Sequence, residues 1–243
     1  MDYKKIDEHM KNKFSSSDKI IELDNLTDGK IDAITDTQIF KARFSVLAID
    51  IVDSKKLNTE LEVEIYNKLI SEFVYGVSHI LKSYGGLWIT IQGDMVYSIF
   101  EAKIQNQIDK VFDAACYLNV FISHLNKNFN KYLKTKTIKA GIGLWFSYEN
   151  YITKVGTRGE RDIVFMGESV NNACTLASVA SRGSYSKILF NDLISTNFSE
   201  ETKTKHDKIG SFNNYSVSKL PNKKILGCDW IIVGYNNFVK NNV

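Results

Sequence analysis

Two aspartates stand out by their surroundings. Asp50 lies inside residues 44–52 (FSVLAIDIV), a nearly continuous apolar run. A carboxylate buried there is costly unless it is paired or holds a cation. Asp94 closes Gln92-Gly93-Asp94, which sits between two further apolar runs, residues 87–91 (LWITI) and 95–100 (MVYSIF). If those two runs form a hairpin beside the first, one edge of the sheet brings the carboxylates side by side. Their repulsion is then relieved by a divalent cation. Carboxylate oxygens suit magnesium, which commonly takes substrate phosphates as further ligands. Singly, Asp94 reads as a turn residue and Asp50 as a carboxylate bonded to backbone. The pair on one edge is what points to a metal.

The elements that must deliver this edge are legible. The apolar run at 44–52 has the length and β-branched content of a strand buried on both faces. Thr59 with Glu62 has the spacing of a capping box and marks a helix start. Leu61, Ile65, Leu69, Phe73, Val77, Ile80 and Leu81 follow at helical spacing, and Gly85-Gly86 stops the helix near Tyr84. The runs at 87–91 and 95–100 are strands joined by a tight turn. A second amphipathic helix spans residues 104–125, with Ile108, Val111, Ala115, Leu118 and Ile122 inward, and residues 137–146 form the next strand. A polar loop at 154–162 precedes a short strand at 163–165, and Gly167 opens a helix to about Ala180. Strands are expected at 187–190, 215–219 and 230–233. The early order is βαββαβ, that of an α+β ferredoxin-like fold with an antiparallel sheet and helices on one face.

Composition narrows the function classes. The 243 residues carry 31 basic and 28 acidic side chains, a formal net charge of +3. That is less basic than a nucleic-acid footprint requires, so no nucleic-acid partner is expected. No apolar run has the length of a membrane span, and residues 1–14 lack the apolar core of a signal peptide. A cytoplasmic protein with no membrane partner is expected. Cys116, Cys174 and Cys228 are scattered and form no CxxC pair, which indicates neither disulfides nor zinc. Residues 1–38 are polar, with a short apolar patch at Ile20-Ile21, and read as an N-terminal extension.

The motifs, taken together, resemble the class III adenylate/guanylate cyclases. Asp50-Ile51-Val52-Asp53-Ser54 is similar to that family's first metal motif, an apolar strand ending in Asp-Ile/Val-x-Gly-Phe/Ser-Thr. The stretch 85–94 (GGLWITIQGD) resembles its second motif, a Gly-Gly, a strand and a hairpin Gly-Asp. Residues 138–143 (IKAGIG) match its apolar-x-x-Gly-Ile strand, and 166–173 (MGESVNNA) its Gly-Asp/Asn-x-Val-Asn-x-Ala helix start. The four motifs occur in family order. The resemblance implies a nucleotide cyclase domain at 39–240, working as a head-to-tail homodimer. It implies two Mg2+ or Mn2+ ions held by Asp50, Asp94 and the Ile51 carbonyl. The backbone around Asp53 and Ser54 would face the triphosphate, and Asn171 would reach from the other protomer to orient the ribose. The 3′-hydroxyl then attacks the α-phosphate and pyrophosphate leaves.

The chain also departs from that pattern. Four residues after Asn171 the family has an arginine, where this chain has Thr175. Arg182 lies two turns further along the same face, roughly 10 Å along the axis, too far to stand in. Arg158 and Arg161 in the preceding loop are the other nearby cations. At the base-reading positions stand Thr90 and Val164 instead of the purine-selecting pairs, and Val164 has no group to satisfy a purine edge. This combination resembles the pyrimidine nucleotide cyclases of bacterial Pycsar antiphage defence. It implies UTP or CTP as substrate, UTP favoured, and a cyclic UMP or cyclic CMP product read by a separate effector. An adenylate cyclase with a divergent pocket and a catalytically silent, dimerising cyclase-homology domain are the alternatives. A palm-type diguanylate cyclase or polymerase would need a second acid at the hairpin, where Met95 stands.

Overall fold

The structure is a computed structural model describing residues 3–133, 136–157, 160–209 and 212–242. It divides into two compact units. The smaller comprises the chain up to Ala42 together with Glu149–Gly167, and the larger comprises Arg43–Tyr148 and the chain from Glu168 onward.

In the smaller unit, helix α1 (Tyr3–Ser15) buries no side chain. Strand β1 (Lys19–Glu22) contains the Ile20-Ile21 patch and pairs in parallel with the start of β2 (Gln38–Ile51), from Lys19 opposite Gln38 to Glu22 opposite Lys41. Between them, α2 (Asp28–Asp32) is capped by Thr27, whose side chain accepts from the Lys30 amide. The outer part of β5 (Ala140–Thr157) pairs antiparallel with β6 (Glu160–Met166), from Tyr151 opposite Met166 to Thr157 opposite Glu160. The segment expected as a polar loop at 154–162 is therefore largely the two arms of a hairpin. The arms bond to each other, so their backbone is satisfied without apolar alternation, and that is why composition read them as loop. Arg158 lies outside the described residues, as does the side chain of Arg161.

The larger unit holds the βαββαβ core. The inner part of β2 leads through α3 (Ser54–Glu60) and α4 (Val63–Ser83) to the hairpin of β3 (Leu87–Gln92) and β4 (Met95–Glu101). Then follow α5 (Gln105–Leu133) and the inner part of β5. The strand order is β3-β4-β2-β5-β7-β9-β8, with β7 at Ile188–Asn191, β8 at Asn213–Tyr215 and β9 at Ile225–Cys228. β4 is antiparallel to both its neighbours, and β5 runs parallel to β7. The ferredoxin-like order expected from the sequence holds, but the sheet is mixed, not antiparallel, because β5 runs parallel to β7, and helices cover both faces, since the segment after β6 lies against the glycines of β5. The other helices of this unit are α6 (Glu168–Val179), α7 (Asp192–Thr196), α8 (Glu200–Ile209) and α9 (Val233–Asn242).

Several boundaries differ from expectation, each for a local reason. Thr59 does not cap a helix. It lies inside α3, where its hydroxyl donates to the Lys56 carbonyl, and the residue before α4 is Glu62. α5 continues eight residues past Leu125, burying Phe129 and Leu133. The apolar stretch 230–233 is not a strand, because the buried Asn119 amide takes the Asp229 and Trp230 carbonyls that a ladder would use. The last strand is β9, four buried residues just before it. β8 ends at Tyr215, so residues 216–219 do not continue it.

The sheet's two faces are used differently. Leu47, Ile49 and Ile51 of β2, Val96 of β4 and Ile142 and Leu144 of β5 join the main core with α4 and α5. Phe112 of α5 anchors it, with edge-on contacts to Phe190, Phe198 and Trp230 at 5.3, 5.0 and 5.8 Å between centroids. Gly141 and Gly143 alternate with Ile142 and Leu144 and so face the other way, onto α6. A Cβ at Gly143 would strike the backbone of Ala173 and Ala177, and one at Gly141 the carbonyls of Ala177 and Ala180. These glycines allow α6 to lie backbone-to-backbone on β5. Gly143→Ala is expected to cost about 3 kcal/mol of stability by overpacking against atoms that cannot rotate away. Urea denaturation checks this.

Candidate active site at the end of the central strand

Asp50 is the penultimate residue of β2. Counting back by twos places it on the α6 side of the sheet with Ala48, while Ile49 and Ile51 are sealed in the core. Its partner across the ladder is Met95. The residue before Met95 is Asp94, in the two-residue turn left by the pairing of Gln92 with Met95. Gly93 takes this turn at φ 65°, a conformation natural to glycine. The register thus carries Asp94 to the end of the strand that bears Asp50.

The Asp50 carboxylate feels the charge of Asp94. Burial pushes the Asp50 carboxyl above its usual range, the negative charge of Asp94 pushes it further, and Arg182 opposes both. Among the described residues no group of three or more His, Cys, Asp or Glu side chains gathers anywhere. The groups that could meet a cation here are the Asp50 and Asp94 carboxylates and the Ile51 carbonyl, all hard oxygens. That composition fits magnesium or manganese, which retain water and phosphate ligands, and does not fit a closed zinc site.

Just beyond, the chain turns sharply. Asp53 is exposed and left-handed at φ 56°, ψ 35°. It stands where the family pattern has glycine, and aspartate is among the few other residues that tolerate this region. Ser54 begins α3, and the Val52 amide donates to the Lys139 carbonyl at 2.9 Å. A cleft of about 570 Å³ opens here, lined among others by Asp53, Lys56, Glu60, Lys136, Lys139 and Arg182. Glu60 is paired with Lys136. Lys56, Lys139 and Arg182 leave the cleft net cationic.

The remaining candidate residues fall as follows. Thr90 lies in β3 directly opposite Tyr97 of β4, and Tyr97 lies opposite Ala48, so the three share the sheet face of Asp50. A bulge between Leu87 and Thr90 sets Trp88 at φ 48°. Val164 lies in β6 of the smaller unit, paired with Thr153 and 37% exposed. Asn171 is exposed near the start of α6, and Thr175, one turn on, is half-buried.

Sequence reasoning missed one residue. Arg182 is not on the helix face of Asn171, because α6 ends at Val179 and Ser181 reverses the chain at φ 61°. The guanidinium folds back. Its Nη1 donates to the Ala177 and Ala180 carbonyls at 3.0 and 3.2 Å. Its Nη2 donates to Asp50 Oδ2 at 2.8 Å and to the Ile51 carbonyl at 3.3 Å. The estimate of distance by helical rise failed because the helix stops first. An arginine just past a helix C-terminus, where orphan carbonyls collect, was the available signal.

Cys174 of α6 reports the same neighbourhood: burial and then the Asp50 charge push its thiol up to about 11. At about pH 8 only on the order of one thiol in a thousand is then thiolate. Labelling of Cys174 by a thiol reagent should be slow there and rise steeply toward pH 11. Asp50→Asn should shift that rise to lower pH, read by mass spectrometry of the modified peptide.

No protein-family model matches the chain. A uridylate cyclase of Treponema porcinum is 26% identical over 223 residues, covering 90% of this chain and 75% of that protein. The crystal structure of the adenylyl cyclase CyaB from P. aeruginosa superposes with a TM-score of 0.62 at 19% identity, over 77% of this chain and 94% of that one. The guanylyl cyclase Cya2 gives 0.63 at 14% identity, over 76% and 90%. The chain has the class III nucleotide cyclase fold. No helix among the described residues is long and apolar enough to cross a membrane.

Proposed function

We infer from the class III cyclase fold that the chain is a nucleotide cyclase, and we propose that it cyclises a pyrimidine triphosphate, UTP in the first place, to the 3′,5′-cyclic monophosphate. The observation that carries the cyclase reading is the register that sets Asp50 opposite Met95, the neighbour of the hairpin aspartate Asp94, whose charge acts on Asp50 at the end of β2. Support for the pyrimidine comes from the likeness to a uridylate cyclase and from the base-reading positions. Thr90 sits across from the bulky Tyr97, and Val164 brings no hydrogen-bonding group. A role in antiphage defence, with the product read by a separate effector, is proposed on the resemblance of the sequence motifs to the Pycsar cyclases. Residues 39–240 are proposed as the cyclase domain, with 1–38 as its extension.

The roles are those that the resemblance to the class III cyclases implies, and the chemistry of the residues suits them. Asp50, Asp94 and the Ile51 carbonyl would hold Mg2+ or Mn2+, which when bound supplies the positive charge that phosphoryl transfer demands. The backbone at Asp53 and Ser54 faces the triphosphate, and Lys56 and Lys139 neutralise it. In the reaction the ribose 3′-oxygen forms a bond to the α-phosphorus, the bond to the pyrophosphate oxygen breaks, and the hydroxyl proton leaves to solvent. The protein's share is positioning and electrostatics. Asn171, exposed on α6, orients the ribose in the site of a second copy, so activity requires a homodimer.

The test is turnover by the purified protein with manganese and each of ATP, GTP, CTP and UTP, products resolved by mass. Cyclic UMP or cyclic CMP is expected; cyclic AMP or GMP would discard the pyrimidine assignment, and no product from a folded dimer would favour a silent domain. Asp50→Ala and Asp94→Ala should each lower turnover by at least about a thousandfold. Asn171→Ala should lose turnover with manganese binding intact.

A further inference from the structure

Arg182 contacts two of the three residues that the proposed metal site needs. One nitrogen, Nη2, lies against both Asp50 Oδ2 and the Ile51 carbonyl, while Nη1 is held by the Ala177 and Ala180 carbonyls. Arginine does not deprotonate in proteins, so this cation leaves the carboxylate only by moving. A guanidinium N–H and a divalent ion cannot use the same lone pair. The side chain has somewhere to go: it is 29% accessible and borders the cationic cleft that Lys56 and Lys139 also line. Ser181 and Gly183, both left-handed at φ 61° and 56°, flank it in the turn after α6.

We propose that Arg182 is an exchangeable cation: it neutralises Asp50 and Ile51 O while they hold no metal, and turns into the cleft to bind the triphosphate once they do. This rests on the reading of Asp50 as a metal ligand. The exchange means that Arg182 opposes metal binding by the free protein and favours nucleotide binding by the metal-loaded one. It also supplies, from the chain turn after α6, a positive charge that the helix lacks at Thr175. A purely structural arginine, tying that turn to the helix end, would have neither pair of effects.

The opposite signs make the test. Manganese binding to the nucleotide-free protein is measured by electron paramagnetic resonance, and binding of a non-hydrolysable UTP analogue to the manganese-loaded protein by calorimetry. Arg182→Ala is expected to bind manganese about tenfold more tightly and the analogue about tenfold more weakly. Arg182→Lys keeps the charge without the fork, guards against loss of the turn in the alanine variant, and should shift both affinities in the same directions by less. Manganese affinity that is unchanged or weaker in both variants overturns the exchange. Asp50→Asn, measured alongside, separates the premises: if it leaves manganese affinity unchanged, the metal reading falls. If it abolishes binding while the Arg182 variants do nothing, only the exchange falls.

Discussion

A carboxylate at the end of a buried strand needs a positive partner, and much of this molecule answers that need. Burial alone drives Asp50 toward its neutral form, and Asp94 at the next hairpin drives it further. Such an arrangement persists only when a cation resides there. In this structure the cation is the guanidinium of Arg182, delivered by the reversal of the chain after α6. The cost of keeping the two acids together is thus partly offset within one chain.

The sheet divides structural from chemical labour. Its α4 and α5 face is sealed by aliphatic residues and the rings around Phe112. The opposite face carries Asp50, Ala48, Tyr97 and Thr90 on neighbouring strands. Each strand serves both because side chains alternate. Ile49 and Ile51 anchor β2 from below, which fixes the backbone between them and therefore the position of Asp50. Positioning at this site is the work of strands, whose register is set by a core that contains no ionisable catalytic group.

The βαββαβ core was legible because its strands are short apolar runs closed by glycine turns and its long helices carry a clear apolar stripe. Asp50 and Asp94 were legible for the same reason, as acids interrupting those runs. The rest depended on signals that local pattern does not carry. The spacing of Thr59 and Glu62 imitates a capping box, yet the chain had already entered α3 five residues earlier. The outer hairpin of β5 and β6 is too polar to declare itself as strand. Asn119, a polar residue in a helix interior, decides that residues 230–233 are not strand, through bonds that span more than a hundred positions. Arg182 was misplaced because its role depends on where α6 ends, and helix ends are set by one or two residues.

The close seat of α6 on β5 has a consequence for how this fold changes over time. The contact is made by Gly141 and Gly143 against backbone and, at Gly143, the Leu176 Cβ. The helix is therefore held by positions that leave almost no room for substitution. Asn171 is exposed on that helix and is not among the atoms nearest those glycines. An exposed position of the helix can be exchanged without moving the helix. Such a scaffold separates what must stay from what is free to drift, so new substrate preferences can be tried one residue at a time on an unchanged frame.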